Sequence, residues 1–278
     1  MAASAQESFL KAFHASHPMA TSQTFGEGRG PDGRSSYDLL AARVAGSERV
    51  LDLGCGDGVL MELLAAAGRE LTGLDLSPDS LAVARRRPAL ADARLVEGRA
   101  QRLPFPDNDF DACVSHMALM LMDDVDAVAA EVARVLAPGG TFACALGGGA
   151  AGGEAFELFL SLLRPVLASA PPHQQIPSLG DRRTRNRAGL DEILGPAGFA
   201  PVSWETVVID LSAPAEQLWP LVSCLYDVLP LPSGTLADLR AEFTTEAAAL
   251  ARADGTVPCG FRLHIATASL LPPAEPRS

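Results

Sequence analysis

A chain of 278 residues is long enough to bury a full hydrophobic core as one domain with insertions, which disfavours two independent domains. Its 34 acidic and 22 basic side chains give a net charge of −12, which repels phosphate backbones and argues against a nucleic-acid substrate. The five cysteines show no C-x-x-C spacing, so we expect neither a metal site nor a disulfide scaffold, and a reduced cytoplasmic location fits.

The N-terminal stretch carries charged side chains among its apolar residues and has no positively charged region followed by an apolar core. We therefore expect no signal peptide, and no apolar run is long enough to predict a membrane span. The pattern predicts a helix over 4–16, a loop over 17–33 and a second helix over 35–44.

A glycine-rich segment follows the first predicted strand. The apolar run 50–53 is typical of a buried parallel strand, and the residues 58–67 predict a helix, with Gly68 suited to its C-terminal cap. Between them, three glycines at 54, 56 and 58 predict a turn that lets the backbone approach a ligand.

The spacing of these glycines bears on the kind of ligand. A dinucleotide fingerprint, G-x-G-x-x-G, would place its third glycine at 59, where Val59 stands instead. Asp52 is unfavourable beside a diphosphate but suits an amino-acid ammonium or a sulfonium. Asp75 ends the next apolar run, 21 residues after Gly54, the distance at which a second strand brings a carboxylate to ribose hydroxyls.

The later elements alternate between helix and strand, which predicts an α/β fold. In chain order they are a helix from 77 to about 87, strands over 93–97 and 110–115, a helix over 125–137, a strand over 141–146, a helix over 154–168, a loop over 171–186, a helix over 189–197, a strand over 202–210, helices over 213–229 and 235–253, and a final strand over 261–269.

Five of these segments, in order, resemble a known family. Asp52-Leu53-Gly54-Cys55-Gly56-Asp57-Gly58 resembles the glycine-rich motif of class I S-adenosylmethionine (SAM) dependent methyltransferases, in particular their small-molecule (type 11-like) branch. The resemblance continues through Asp75, 97–105, 110–112 and 134–140, and covers about residues 35–150. It implies a Rossmann-like three-layer sandwich with a seven-stranded, mostly parallel sheet of order 3-2-1-4-5-7-6 and helical cap insertions.

The resemblance also implies a domain organisation and a set of partners. Residues 1–45 would form helices closing over the cofactor, and 46–278 the methyltransferase domain, with substrate-cap insertions at about 150–187 and 211–257. The expected cofactor is SAM, released as S-adenosylhomocysteine (SAH). The expected partner is a small-molecule methyl acceptor, with no nucleic acid and no membrane, and the chain is expected to be a monomer or homodimer.

Candidate cofactor contacts come from the matched motifs and the strand ends. Arg99 stands where the family usually has an aspartate that binds the adenine amino group, which favours Ala100 and Gln101 there. Near the N-terminal helices, Arg34, Ser36 and Tyr37 are candidates for the cofactor's carboxylate end; the alternative is packing for Tyr37 and solvation for Arg34. The full set of predicted cofactor residues is Tyr37, Asp52, Gly54, Cys55, Gly56, Gly58, Asp75, Leu76, Ala100, Gln101, Ser115 and His116.

Chemistry is expected after the fourth strand, at the carboxyl end of a central strand, where open α/β sheets bind ligands. His116 is the candidate general base, because an imidazole with a pKa of about 6.5 accepts a proton near neutral pH. The alternative for His116, as for His14, His17 and His173, is a structural or surface role. Predicted substrate residues are Phe25, Met117, Met120, Phe156, Trp219 and Tyr226; the alternative is that they form the core of the cap.

Four arginines at 182, 183, 185 and 187 admit two interpretations, an anionic substrate site or a solvated, salt-bridged patch, and the acidic composition favours the patch. For the whole chain we predict methylation of a small apolar or aromatic molecule of secondary metabolism, on N, O or C. Three alternatives stay open: a carboxylate or quinone methyltransferase of primary metabolism, an NAD-binding oxidoreductase, and a catalytically silent cofactor- or partner-binding protein.

Overall fold

The structure is a computed structural model that describes residues 4–65, 68–151 and 154–272. Across these residues the strands are β1 (Arg49–Leu53), β2 (Glu70–Asp75), β3 (Arg94–Glu97), β4 (Phe110–His116), β5 (Leu136–Ala150), β6 (Ser203–Asp210) and β7 (Gly260–Ser269). They form one sheet of order β3-β2-β1-β4-β5-β7-β6, in which β7 runs antiparallel to both neighbours and the other pairings are parallel. The predicted fold class and strand order are confirmed.

The helices among the described residues are α1 (Ala5–Ser16), α2 (Ala20–Phe25), α3 (Ser36–Ala42), α4 (Val59–Ala65), α5 (Pro78–Ala84), α6 (Val125–Val135), α7 (Glu154–Ser169), α8 (Arg187–Leu194), α9 (Ala215–Val222) and α10 (Ser233–Ala248). Positions 66 and 67 of the predicted helix 58–67, and 273–278 of the predicted domain, lie outside the described residues. None of the described helices is long and apolar enough to cross a bilayer.

Three local predictions differ most from the structure. The predicted loop 17–33 contains α2, which is too short to show a helical repeat. The predicted helix 213–229 is α9 followed by a separate turn at Tyr226–Val228, because Leu225 is extended and lets Tyr226 pack on Phe13 of α1. Strand β5 is longer than predicted at both ends, since Leu136 pairs with Phe110 of β4 and the glycine-rich end continues to pair with β7.

The sheet is covered on both faces, which produces the three layers. Side chains alternate along β1, so Val50 packs into one layer with α3 and α4 while Leu51 and Leu53 pack into the other with α6 and α8. All three are fully buried, as expected for a central parallel strand. This arrangement leaves the carboxyl ends of β1, β2 and β4 side by side at one edge.

The inserted helices α7, α9 and α10 pack on one another through an aromatic cluster. Phe159 lies 5.8 Å from both Trp219 and Phe243 in edge-to-face geometry, and Trp219 lies 6.1 Å from Phe243. Phe159 and Phe243 are fully buried. The two insertions therefore form one helical layer, and its apolar core is continuous with the core on that face of the sheet.

Candidate functional site

The loop after β1 uses its three glycines in different ways. Gly54, Gly56 and Gly58 all have positive φ, at 78°, 54° and 83°. A side chain at Gly54 would collide with Ala118, and one at Gly58 would meet Leu90, so these two glycines permit close packing. A Cβ on Gly56 would meet nothing within 4 Å, so its open face is the part of the loop available to a ligand.

Asp75, at the end of β2, ties that loop to the neighbouring strand. One carboxylate oxygen accepts from the Gly56 N–H and the other from the Ser77 N–H, both at 2.7 Å. Burial raises the pKa of Asp75, while the two N–H donors and the nearby His14 act in the opposite direction. The carboxylate therefore lies at the edge of the cleft with its orientation set by the backbone.

Asp52, at the end of β1, is the most unusual polar group of the site. Its side chain is buried, and within the described part of the chain neither carboxylate oxygen has a hydrogen-bond partner. Burial raises the pKa of Asp52 well above its usual range, and the charges of Asp75 and Asp57 add to the effect. An unpaired buried carboxyl group is costly, so a cationic ligand beside it would restore a missing interaction.

A cleft runs from Asp75 along the ends of β2 and β3 to α1. Predicted residues Leu76, Ala100 and Gln101 line it. Gln101 donates from Nε2 to the Asp123 carbonyl at 2.7 Å and to its carboxylate at 2.5 Å, which orients the amide. The other wall is helix α1, which contributes Gln6, Glu7, Leu10, Lys11 and His14.

Arg99 lines this cleft, but its positive charge is paired. Its Nε donates to the buried carboxylate of Glu7 on α1 at 2.5 Å. Glu7 and His14 were not among the predicted cofactor residues. The capping box of Ser4 and Glu7 signals a helix start, but it does not reveal which surface that helix contacts.

His116 lies in a buried aromatic setting on the other side of the glycine loop. Its ring stacks on Tyr37 at 3.9 Å, its Nε2 lies 2.9 Å from the Ser36 hydroxyl, and its buried Nδ1 has no partner among the described residues. Burial lowers the pKa of His116 to about 3, so the imidazole is neutral at neutral pH and weakly basic. Burial also raises the pKa of Tyr37, reinforced by Asp57 and Asp52.

Four predicted residues have a local structural role. The Ser115 hydroxyl is fully buried and donates to the Leu53 carbonyl at 2.8 Å, which joins β4 to β1. Gly58 makes room for Leu90, as described above. The Cys55 thiol is buried against Gly73 of β2, and burial raises its pKa well above the usual value. Arg34 pairs with Asp32 at the surface, which agrees with the solvated alternative.

A larger chamber adjoins the cofactor cleft on the cap side. Five of the six predicted substrate residues line it, namely Phe25, Met117, Met120, Phe156 and Tyr226. Met117 and Tyr226 also line the glycine-loop side of the cleft, so the two spaces meet there. Met117 has a left-handed φ of 57°, a strained conformation of the kind that collects at functional sites.

Trp219 is the exception among the predicted substrate residues. It packs in the aromatic cluster of the cap and faces an outer groove between α9 and α10, which corresponds to the core-packing alternative. Within the described ranges, no group of three or more His, Cys, Asp or Glu side chains is arranged to hold a metal ion.

Comparison with known proteins identifies the central segment. Residues 51–144, which contain the glycine loop, Asp75 and His116, match the family described as "Methyltransferase domain". This segment, about a third of the chain, is therefore similar to a methyltransferase domain. This match favours the methyltransferase prediction over the NAD-binding alternative.

The chain is also similar to curated methyltransferases over part of its length. A fatty-acid O-methyltransferase of Mycolicibacterium smegmatis is 45% identical over 97 residues, or 34% of this chain and 35% of that protein. A malonyl-[acyl-carrier protein] O-methyltransferase of Pectobacterium atrosepticum is 39% identical over 134 residues, or 45% and 52%. The chain thus spans about a third to a half of the length of these relatives.

Solved structures with the same fold cover more of the chain. A putative type II methyltransferase from Anaeromyxobacter dehalogenans has a TM-score of 0.61 and 21% identity, covering 88% of this chain and 98% of that one. The [4+2]-cyclase SpnF has a TM-score of 0.57 and 22% identity, covering 94% and 95%. At these identities the likeness shows the fold alone.

Proposed function

We propose that this chain methylates a small molecule using SAM. The observation that carries the proposal is the buried carboxyl group of Asp52, which is unpaired among the described residues and lies beside the open face of Gly56. When bound, the cofactor supplies a methyl group on a positively charged sulfur and leaves as SAH. A cationic methionine end fits a buried carboxylate, whereas a diphosphate does not.

The cleft offers a matching contact for each part of the cofactor. Asp75 would accept from the ribose hydroxyls, since its carboxylate is already oriented by two backbone N–H groups. Leu76, Ala100 and Gln101 would enclose the adenine, with α1 closing over it as predicted for residues 1–45. Tyr37 and His116 would bound the methionine end together with the glycine loop.

The chamber supports a small apolar or aromatic acceptor. Its wall at the junction with the cofactor cleft includes Met117, Leu121 and Tyr226, so the acceptor atom would react beside the sulfur in a largely apolar environment. The chain's main contribution would be alignment and exclusion of water. His116 remains the candidate base for N-, O- or C-methylation, although its buried ring is a weak proton acceptor.

Methylation of a carboxylate or quinone is the second candidate. It is supported by similarity to relatives named fatty-acid O-methyltransferase, malonyl-[acyl-carrier protein] O-methyltransferase and, in Thermus thermophilus, demethylmenaquinone methyltransferase. That the acceptor belongs to secondary metabolism stays a prediction, as do a cytoplasmic location and a monomeric or homodimeric state.

Ligand-dependent thermal stability tests the cofactor assignment. A ligand that binds only the folded state raises stability by RT ln(1 + [L]/Kd), so SAM and SAH should raise the melting temperature and NAD should not. Asp75→Ala should weaken SAH binding by roughly 1.5–3 kcal/mol, because ribose hydroxyls lose a charged acceptor. Asp79→Ala, at an exposed acid in the next helix, is the matched control. Selective stabilisation by NAD would overturn the assignment.

Turnover is tested by mass. A panel of phenols, indoles, amines, quinones and carboxylates incubated with SAM should yield at least one product heavier by a methyl group. If SAH binds but no acceptor on the panel gains mass, the catalytically silent alternative gains support.

A further inference from the structure

The arginine cluster of residues 182–187 divides into two pairs with different partners. Arg183 pairs with Asp126 at 2.5 Å and with Asp181 at 2.8 Å, and Arg187 lies 3.8 Å from Asp191. For these two, the predicted salt-bridged patch is confirmed. Arg182 and Arg185, here called the arginine pair, form no ion pair with any residue that the structure describes, and both line the chamber.

The arginine pair is presented from a well-anchored turn. Both residues belong to the short helical turn Arg182–Arg185, in which the Thr184 side chain is fully buried and its hydroxyl donates to the Asp181 carbonyl at 2.7 Å. The Asp181 side chain also accepts from the Arg183 N–H. The two guanidinium groups are exposed at the mouth of the chamber, while the turn that carries them is held by the core.

Charge is distributed unevenly along the chamber. At the junction with the cofactor cleft, Met117, Leu121 and Tyr226 bring no formal charge. At the mouth, two arginines face one acid, Asp227, among the described lining residues. In a chain with a net charge of −12, a local excess of positive charge at the opening of an apolar chamber is unexpected for a surface that only needs to be solvated.

Resting on the proposed function, we infer that the methyl acceptor is an amphipathic anion, whose apolar body fills the chamber and whose anionic group is held by the arginine pair. The arginine fork suits a carboxylate, sulfonate or phosphate group. Because the arginine pair is exposed to solvent, whereas Met117, Leu121 and Tyr226 at the junction bring no formal charge, the anionic group is an anchor and the methylated atom is a different atom of the molecule. An acceptor methylated on its only carboxylate would need the opposite orientation.

A matched pair of fluorescent probes tests the anchor. 8-Anilinonaphthalene-1-sulfonate and N-phenyl-1-naphthylamine share an aromatic body, and the first carries a sulfonate that the second lacks. With SAH present, the Arg182→Gln/Arg185→Gln double variant should bind the sulfonate about five- to tenfold more weakly than the unmodified chain does, and bind the neutral probe within about twofold. Arg187→Gln, at a paired arginine of the same cluster, should change neither affinity.

Two outcomes would overturn the inference. One is an unchanged affinity of the double variant for the sulfonate probe; the other is an equal loss for both probes, which would show a packing effect instead of charge recognition. The SAH-induced shift in melting temperature is measured in parallel. If SAH does not raise the melting temperature of the unmodified chain, the proposed function fails. The arginine pair can still be tested by itself, by comparing the binding of the two probes without SAH.

Discussion

Arg99 donates to the carboxylate of Glu7 at 2.5 Å and thereby joins the loop after β3 to helix α1. The same carboxylate accepts from the Ser4 N–H and completes the capping box that starts α1. The family that this sequence resembles usually has an aspartate at this position, whereas this chain has a cation in the wall of the cleft and a carboxylate on the N-terminal helix that neutralises it. One ion pair thus links the start of α1 to the wall of the cofactor cleft.

We expect Glu7→Ala to weaken both folding and cofactor binding. The change leaves the half-buried Arg99 without its partner and removes a cap, so the free energy of unfolding should fall by about 1–3 kcal/mol. SAH affinity should fall severalfold because α1 no longer holds its position on the cleft. Denaturant titration and calorimetry measure the two effects. Lys11 lies on the same helix and forms an exposed ion pair with Glu97 of β3. Lys11→Ala should therefore lower the free energy of unfolding by less than about 1 kcal/mol. Normal SAH affinity in Glu7→Ala would exclude α1 from the cofactor site.

Gly56→Ala should abolish cofactor binding while the fold is kept. The new methyl group enters open space in the cleft, and the positive φ costs about 1 kcal/mol. Gly139→Ala is a matched control, since Gly139 also has a positive φ and an open face but lies at the amino end of the sheet, away from the cleft. Both variants should lose similar thermal stability, and only Gly56→Ala should lose the stabilisation by SAH. Equal stabilisation of both variants would contradict the proposed ligand position.

Cofactor affinity should rise with pH because of Asp52. Burial raises the pKa of this carboxyl group, and only its ionised form attracts the ammonium group of the methionine end, which SAM and SAH both carry. Affinity should therefore increase as the pH passes upward through the range in which Asp52 ionises, and binding should release protons. Calorimetric SAH titrations at several pH values, in buffers of different ionisation enthalpy, measure both. Asp52→Asn should bind about tenfold more weakly and lose most of the pH dependence. A variant with unchanged affinity and proton release would remove Asp52 from the site.

Stability should fall in mild acid because His116 is buried in its neutral form. Its pKa is lowered to about 3 in the folded chain, against about 6.5 when unfolded, so between these values the unfolded chain binds more protons and the free energy of unfolding rises with pH. Between pH 7 and pH 5 this contribution loses about 2 kcal/mol. His116→Gln should reduce the pH dependence by that amount, and His173→Gln, at an exposed histidine, should not. If the free energy of unfolding of His116→Gln varies with pH as it does in the unmodified chain, the pKa of His116 is not lowered in the folded state.

Local sequence patterns predicted the elements whose cause is local. The apolar run of β1 indicates a central strand, the glycine spacing indicates a ligand-binding turn, and Asp75 marks the end of β2. Those features depend on backbone freedom and on side-chain alternation, which a short stretch of sequence encodes directly. The confirmed strand order was implied by the resemblance to a known family.

Tertiary contacts decided the remainder. Ser115 and Trp219 have residue types suited to a binding site, yet one donates to Leu53 and the other packs in the cap, since partners distant in the chain occupy them. Glu7 is the opposite case, because its sequence context does not indicate a site residue. Only the fold brings it against Arg99, which is 92 positions away in the chain. Within 182–187 the sequence shows four equivalent arginines, and only the fold distinguishes the two that meet carboxylates from the two that face the chamber. Sequence alone determined the ligand-binding character of the glycine-rich turn, because that character depends on residues that are consecutive in the chain. The acceptor side depended on the fold, because its charges and walls come from segments that meet only when the chain is packed.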